Sequence, residues 1–243
     1  MEDEEYARIA AVEDDHWWYR TTRGIVADLL APYVRDRAGL HVLDAGCGPG
    51  GNGEWLGPHG TVVGADRSPD ALRFVHERRP SVRPVRGDLT ALPIADASVD
   101  VAIALTVLYA VPDDAAAVAE LARVLVPGGA LVVVEPAFPS LRRAHDATVH
   151  GQRRYRRRPL RELLGRAGLR VERVTYAYSF LAPAAAGLAV ADRLRRRPAP
   201  THESDVERRG LDHVFAPLAA AERTLLRRVD VPVGTSVVAI ATR

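Results

Sequence analysis

A glycine-rich turn that directly follows an apolar segment is the clearest chemical feature of the chain. Residues 42–51 read Val-Leu-Asp-Ala-Gly-Cys-Gly-Pro-Gly-Gly, so Asp44 stands at the end of the apolar run and glycines follow it at once. Backbone without side chains can approach a charged ligand closely and offer it bare amide groups. The pattern predicts that a strand ends here and that a nucleoside-containing cofactor binds at its end.

Two classes of cofactor fit this turn. Residues 46–51 match the spacing G-x-G-x-x-G of dinucleotide-binding proteins, and Asp66 follows at the distance of an acid that binds ribose hydroxyls. An NAD(P)- or flavin-dependent oxidoreductase is therefore one candidate. However, Asp44 would repel a pyrophosphate and attract a cationic amino-acid group, and Pro49 removes an amide that a pyrophosphate could use. These residues favour a nucleoside whose other end is cationic.

The overall composition limits the class of protein. A chain of 243 residues with 47% apolar residues can build the core of one α/β domain. No segment approaches the ~18 uninterrupted apolar residues of a membrane span, and the acidic first residues lack the order of a signal peptide, so we expect a cytoplasmic protein. The net charge of +2 gives no support for nucleic-acid binding. The single cysteine, Cys47, excludes an internal disulfide.

Apolar segments alternate with helical segments along the chain. Strands are predicted at 41–45, 61–65, 82–86, 99–105, 130–134, 170–178 and 235–242. Helices are predicted at 6–30, after the start signal Ser68-Pro69, from Pro112 to about 125, and at 159–167. This alternation predicts a doubly wound α/β fold, in which helices cover both faces of a mostly parallel sheet.

Motifs between residues 40 and 135 resemble those of the class I S-adenosylmethionine-dependent methyltransferases and occur in that family's order. They lie at 43–50 (Leu-Asp-Ala-Gly-Cys-Gly-Pro-Gly), 63–68 (Val-Gly-Ala-Asp-Arg-Ser), 87–89 (Gly-Asp-Leu), 100–108 and 125–131. The resemblance implies a Rossmann-like sheet of seven strands with the last strand antiparallel, capped by an N-terminal helix and helical insertions. It implies a helical lid over residues 1–35 and a methyltransferase domain over 36–243, with insertions at about 136–158 and 180–229.

The resemblance also implies the cofactor site. Asp66 would bind both ribose hydroxyls, Asp88 would accept from the adenine amine, and Asp44 with the amides of the glycine turn would hold the methionine end. The residues implied to contact S-adenosylmethionine in this part of the chain are Asp44, Gly46, Cys47, Gly48, Gly50, Asp66, Arg67, Asp88, Leu89 and Leu105.

The N-terminal segment His16-Trp17-Trp18-Tyr19-Arg20 places two tryptophans side by side. One interpretation is a helix that aromatic burial fixes to the domain. The other is a lid, in which Trp18 faces the substrate while Tyr19 or Arg23 reaches the cofactor carboxylate. The two interpretations are compatible, because a fixed helix is what would position such side chains.

Residues 136–158 match no regular element and follow the fifth strand, where ligands of open α/β sheets bind. An arginine-rich stretch is ordinarily a solvated loop. At this position it would instead supply a general base, His145 or His150, and cations for an anionic substrate. Tyr109, just past the fourth strand, would face the transferred group or simply pack. The predicted catalytic residues are His145, His150 and Tyr109, and the predicted substrate-binding residues are Trp18, Asp146, Arg153, Arg154 and Tyr155.

These observations predict an enzyme that transfers a methyl group from S-adenosylmethionine to a small-molecule acceptor, with oxygen preferred because of the two histidines. The Trp pair and residues 233–236 resemble a bacterial subgroup associated with natural-product and glycan pathways. We expect no metal, no nucleic acid, no membrane span, and a monomer or homodimer. The alternatives are the oxidoreductase and a non-catalytic protein that retains the cofactor fold.

Overall fold

Seven strands form one sheet in this computed structural model, which describes residues 3–143, 146, 150–194 and 212–243. The strands are β1 (Leu40–Ala45), β2 (Gly60–Asp66), β3 (Val82–Arg86), β4 (Val99–Leu105), β5 (Leu125–Pro136), β6 (Arg170–Ala177) and β7 (Ser236–Thr242). Their spatial order is β3-β2-β1-β4-β5-β7-β6. Neighbours from β3 to β5 are parallel, and β7 is antiparallel to β5 and β6. The predicted doubly wound sheet with an antiparallel last strand is confirmed.

Helices connect and cover the strands. Those described are α1 (Asp3–Val12), α2 (Trp17–Val34), α3 (Gly51–Glu54), α4 (Pro69–Arg78), α5 (Asp114–Val124), α6 (Arg157–Arg166), α7 (Ala182–Leu194) and α8 (Asp212–Leu226). The prediction of one helix over 6–30 is wrong. The chain breaks before His16, whose Nδ1 accepts a hydrogen bond from the backbone of Trp18 and so caps a new helix. No described helix combines the length and apolarity of a bilayer span.

Local signals explain where the other elements begin. Ser68 caps α4 by accepting a hydrogen bond from the Ala71 amide at 3.3 Å, and Pro69 occupies the first turn. Asp113 caps α5 in the same way through Ala116. By contrast, β5 begins at Leu125 rather than at the predicted 130, because Leu125 already pairs with Val99 of β4 across a register shift.

Side chains of the central strands alternate between two apolar layers. Leu43 of β1 packs in the layer that α5 and α6 cover, whereas Val42 packs in the layer that α2, α4 and α8 cover. Burial on both faces is the reason why β1, β4 and β5 read as almost continuous apolar runs. The strand order reverses between β1 and β4, and their carboxyl ends form the crevice where ligands of such sheets bind.

Candidate cofactor and acceptor site

A cavity of about 340 Å³ opens at the carboxyl ends of the central strands. This volume lies in the range of small-ligand sites, roughly 300–1,000 Å³. We call one part of its wall the glycine-turn side; it includes Gly46, Cys47, Gly48, Asp66, Arg67, Asp88, Leu89 and Leu105. The other part, the Tyr109 side, includes Tyr109, Asp146, His150 and Arg154.

The glycine turn is tied to the neighbouring strand by its backbone. The amides of Gly46 and Cys47 both donate to the carbonyl of Ala65, at 2.7 and 3.1 Å. Gly46 has φ +72°, and a Cβ there would collide with Val107. Gly48 has φ +52°, but a Cβ there would meet nothing within 4 Å. Gly46 is thus required by the fold, whereas the space beside Gly48 in the cavity wall is open.

Asp66 ends β2 and joins the two neighbouring turns. Its Oδ2 accepts from the Gly48 amide at 3.0 Å and its Oδ1 from the Ser68 amide at 2.9 Å. The side chain is mostly buried and lines the cavity. Two backbone donors therefore fix the carboxylate in one orientation, as a bidentate acceptor for a diol requires.

Asp44 lies beneath the turn rather than in the cavity wall. Its carboxyl is 1% exposed, and in the described part of the chain Oδ2 has no hydrogen-bond partner. Burial, followed by the nearby charges of Glu13 and Asp66, raises the pKa of Asp44 to about 8. Burial also raises the pKa of the Cys47 thiol, so Cys47 is a neutral packing group in the wall. Gly50 does not line the cavity; its amide closes the turn on the Cys47 carbonyl.

The turn after β3 carries Asp88 and Leu89. Asp88 is exposed towards the cavity mouth, and its Oδ1 accepts from both the amide and the hydroxyl of Thr90. These hydrogen bonds hold the pKa of the Asp88 carboxyl below its usual value. The carboxylate is thus an ionised acceptor with oxygen capacity to spare, beside an apolar surface from the buried Leu89.

Helix α1 contributes a part of the wall that the sequence analysis missed. Tyr6 and Ile9 of α1, together with Glu13 just after its end, follow one another at helical spacing and line the cavity. The buried Glu13 carboxylate accepts from the Gly51 amide at 3.1 Å and from Arg79 at 2.8 Å. The spacing of these residues could have indicated that they share one face of a helix. The contact of Glu13 with Gly51 could not have been predicted in this way, because the two residues are far apart in the sequence.

Helix α2 supplies Trp18 and Tyr19 to the cavity wall. Trp18 also stacks on Tyr178, with ring centroids 6.1 Å apart, so its helix is fixed by aromatic packing as well. The structure places Arg23 outside the wall. Its guanidinium donates to the carbonyls of Glu13 and Asp14, at 2.8 and 3.2 Å, and holds the junction between α1 and α2.

The arginines of the predicted substrate segment are committed to protein partners. Arg154 lines the cavity but donates to both oxygens of Asp146, at 2.8 and 3.0 Å. Arg153 lies outside the wall and donates to the carbonyls of Val111 and Pro112, each at 2.6 Å. The predicted anion-binding pair of arginines is therefore not formed, because carboxylate and carbonyl oxygens already occupy both groups.

The other residues predicted there divide between wall and core. His150 lines the cavity and has φ +56°, a strained conformation for a non-glycine residue. Tyr155 is buried outside the wall, where its hydroxyl donates to Asp114 at 2.7 Å. The predicted His145 lies outside the described residues. Within those residues, no group of three acids, histidines or cysteines could hold a metal ion.

Tyr109 lines the cavity from the turn after β4. Burial, followed by the charges of Glu135 and Asp146, raises the pKa of its phenol. The hydroxyl therefore stays protonated at neutral pH and is a hydrogen-bond donor rather than a base. Glu135, a residue that the sequence analysis missed, accepts from the backbone of this turn.

The hydrogen-bond acceptors on the glycine-turn side fit an adenosyl amino acid. Asp66 is a fixed acceptor for a diol, and Asp88 is an ionised acceptor for an amine. The uncompensated oxygen of Asp44 suits a cationic group nearby. A pyrophosphate would meet these carboxylates at short range and be repelled.

Gly48→Ala tests whether the space beside the turn belongs to a ligand. The added methyl has free space in the structure, so we expect a loss of only about 1 kcal/mol in unfolding free energy from the positive φ. We expect at least a tenfold loss of affinity for S-adenosylhomocysteine by calorimetry. Gly168→Ala is a matched control, because Gly168 also has positive φ and open space but lies outside the cavity wall. If Gly48→Ala and Gly168→Ala bind S-adenosylhomocysteine equally well, the space beside Gly48 does not belong to the ligand.

Known proteins share this fold and these motifs. Residues 43–133 match the family model described as a methyltransferase domain. A protein of Mycolicibacterium smegmatis described as a probable S-adenosylmethionine-dependent methyltransferase is 33% identical over 167 residues, 68% of this chain and 63% of that protein. Trans-aconitate 2-methyltransferase of an Azoarcus species is 40% identical over 112 residues, 45% of this chain and 44% of that protein.

Solved structures agree at the level of the fold. An S-adenosylmethionine-dependent methyltransferase from Mesorhizobium loti superposes with a TM-score of 0.60 and 18% identity, over 95% of this chain and all of that one. The chain spans between 36% and 63% of the length of the first curated relatives that it matches. Residues 43–133 thus form a methyltransferase domain, and the chain is similar in sequence and fold to S-adenosylmethionine-dependent methyltransferases.

Proposed function

We propose that this protein transfers the methyl group of S-adenosylmethionine to a hydroxyl of a small-molecule acceptor. The observation that carries the proposal is the composition of one cavity wall. Its glycine-turn side holds acceptors suited to an adenosyl amino acid, and its Tyr109 side holds polar groups suited to a second molecule. A binding surface for only one of the two molecules would not indicate a transferase.

The cofactor supplies an electrophilic methyl group when it is bound. In the proposed complex, Asp66 binds the ribose hydroxyls and Asp88 the adenine amine, while Leu89 and Leu105 cover the apolar faces. The Gly48 backbone and the Asp44 carboxyl stabilise the methionine end, and Tyr19 reaches the carboxylate of that end. Arg67 and Cys47 complete the wall. Arg23 is left out of this set, because its guanidinium is held by main-chain carbonyls.

The protein's contribution to the reaction is alignment, exclusion of water and movement of one proton. Residues of α1 together with Trp18 and Tyr19 cover the cavity, which limits access of water. His150 accepts the proton that the acceptor hydroxyl loses, and Tyr109 donates a hydrogen bond that orients the acceptor. Removal of a proton matters more for a hydroxyl than for an amine or thiol, so the imidazole supports oxygen as the methylated atom.

The charge of the Tyr109 side favours a neutral polar acceptor. Arg154 and Asp146 neutralise each other there, and Arg153 is turned away to carbonyl groups. One relative, from Pseudescherichia vulneris, is named as an O-methyltransferase, 36% identical over half of this chain. We place the reaction in natural-product or glycan biosynthesis on the sequence resemblance described above.

A transfer assay with methyl-tritiated S-adenosylmethionine and acceptors bearing hydroxyl, amine or carboxyl groups tests this function. We expect transfer to neutral hydroxyl compounds, and His150→Ala to lower kcat by about 100-fold with S-adenosylhomocysteine affinity within threefold. His76→Ala, in the exposed part of α4, is the control and should retain activity.

Two other results would replace the proposal. Binding of NADH without binding of S-adenosylhomocysteine would indicate the oxidoreductase. Binding of S-adenosylhomocysteine without transfer to any acceptor, and without an effect of His150→Ala, would indicate a non-catalytic cofactor-binding protein.

A further inference from the structure

Glu135 is a fully buried carboxylate at the carboxyl end of β5. Its Oε1 accepts from the amides of Val107 and Leu108, at 3.1 and 2.8 Å, and its Oε2 accepts from the amide of Tyr109 at 3.1 Å. One side chain thus satisfies three successive backbone donors of the turn that follows β4. Without it, these amides would lose their hydrogen-bond partner, a costly situation for the amide of the buried Leu108.

Tyr109 is held by contacts on every part of its backbone. Its carbonyl accepts from the amides of Gln152 and Arg153, at 2.9 and 3.3 Å, while its own amide is held by Glu135. Its ring packs so closely on Gly151 that a Cβ there would lie 2.8 Å from Cε2. The backbone around the ring therefore leaves Tyr109 little freedom within the cavity wall.

We propose that Glu135 is a positioning residue for methyl transfer, because its carboxylate fixes the turn over 106–110 and thereby holds the Tyr109 side chain in the cavity wall. This inference rests on the proposed function only for its effect on the reaction rate. The hydrogen bonds that define it belong to the protein alone.

Three converging donors require a side chain with an acceptor oxygen on both sides of its end, as a carboxyl group has. Glutamine has one acceptor oxygen and one NH2 group, so it can serve the amides of Val107 and Leu108 but opposes the amide of Tyr109 with another donor. Glu135→Gln is therefore a selective probe, since it keeps the size and most of the turn but releases Tyr109. Glu135→Ala removes all three hydrogen bonds and leaves a void.

A matched control exists elsewhere in the fold. Glu222 is a buried carboxylate on α8 that accepts from the amide and the hydroxyl of Ser179, each at 3.0 Å. It fixes another short turn, Ser179–Leu181, which lies outside the cavity wall. Glu222→Gln thus makes the same chemical change at a buried glutamate in another turn, without touching Tyr109.

The experiment measures amide hydrogen exchange by NMR, the fluorine resonance of 3-fluorotyrosine at position 109, S-adenosylhomocysteine affinity, and kcat. In Glu135→Gln we expect the Tyr109 amide to lose protection by at least tenfold and those of Val107 and Leu108 by less than threefold. We expect the fluorine resonance to shift, kcat to fall at least tenfold, and affinity for S-adenosylhomocysteine to stay within threefold. Glu222→Gln should change none of these.

The outcomes separate this inference from the proposed function. If Glu135→Gln leaves Tyr109 protection or kcat unchanged, Glu135 is not a positioning residue. If the wild-type protein transfers no methyl group, the proposed function is wrong, and so is the expected effect of Glu135 on the rate. The hydrogen-exchange and fluorine data still decide whether Glu135 holds Tyr109. If Glu135→Ala does not fold, Glu135→Gln alone decides the matter.

Discussion

Asp66→Ala is expected to weaken the binding of S-adenosylhomocysteine by at least 100-fold. In the proposed complex the carboxylate accepts two charge-assisted hydrogen bonds from the ribose, worth about 1.5–3 kcal/mol each. Their loss corresponds to about 3–6 kcal/mol, or a factor of roughly 10² to 10⁴. The substitution also frees the amides of Gly48 and Ser68, which Asp66 holds at 3.0 and 2.9 Å, so the turn itself loses order.

Calorimetry with S-adenosylhomocysteine measures this effect, and Asp70→Ala is its control. Asp70 lies in the first turn of α4, is half-buried, and pairs with Arg73 outside the cavity wall. Asp70→Ala removes a carboxylate four residues after Asp66 and leaves the glycine turn unchanged. A dissociation constant for Asp66→Ala within threefold of the wild type would remove the basis of the cofactor assignment.

The glycine-turn side of the site could be predicted from the sequence because its determinants are local. Asp44, the glycines and Asp66 stand at the ends of adjacent parallel strands, and the pairing of Asp44 with Gly64 sets their relative position. Where a strand ends in a glycine turn, residues close in sequence position the backbone that contacts the ligand. The same reasoning gave the sheet, since alternation of apolar strands with helices allows few topologies.

The Tyr109 side could not be predicted in the same way, because distant contacts decide it. The residue types of Arg153 and Arg154 suggest an anion site, and only the fold shows that carbonyls and Asp146 occupy them. Glu135 reads in the sequence as the end of an apolar strand. Its function depends on the amides of residues 107–109, which the chain brings to it from the neighbouring strand.

The N-terminal helices illustrate a third limit. The segment 6–30 has continuous helical character, and a cap by His16 is unusual enough that the break before α2 has no strong signal. The break lets Glu13 turn inwards to Gly51 and Arg79. An acidic N-terminal segment that looks solvated therefore contributes a buried carboxylate to the cavity.

Asp44→Asn is expected to make the protein without cofactor more stable at pH 8 than the wild type. The folded protein binds the Asp44 proton up to a pKa of about 8, whereas the unfolded chain releases it near 3.8, the ordinary pKa of aspartate. Between these values the unfolded state holds fewer protons, so the stability of the wild type falls as pH rises, by at most about 1.4 kcal/mol per pH unit for this one group. Asparagine removes this contribution and keeps the size of the side chain.

Urea unfolding from pH 5 to pH 8 measures the difference in unfolding free energy between variant and wild type. We expect this difference to grow with pH by about 2–4 kcal/mol in total. Affinity for S-adenosylhomocysteine should fall at least tenfold, because asparagine cannot ionise to balance the cationic end of the ligand. Val42→Ala, a buried change on the same strand that involves no titrating group, should give a difference independent of pH.

If the difference in unfolding free energy for Asp44→Asn is also independent of pH, Asp44 does not hold its proton in the folded state. A rising difference with unchanged affinity would mean that the buried acid destabilises the fold without serving the cofactor. If Asp44→Asn is more stable than the wild type but binds S-adenosylhomocysteine more weakly, Asp44 destabilises the fold and serves cofactor binding.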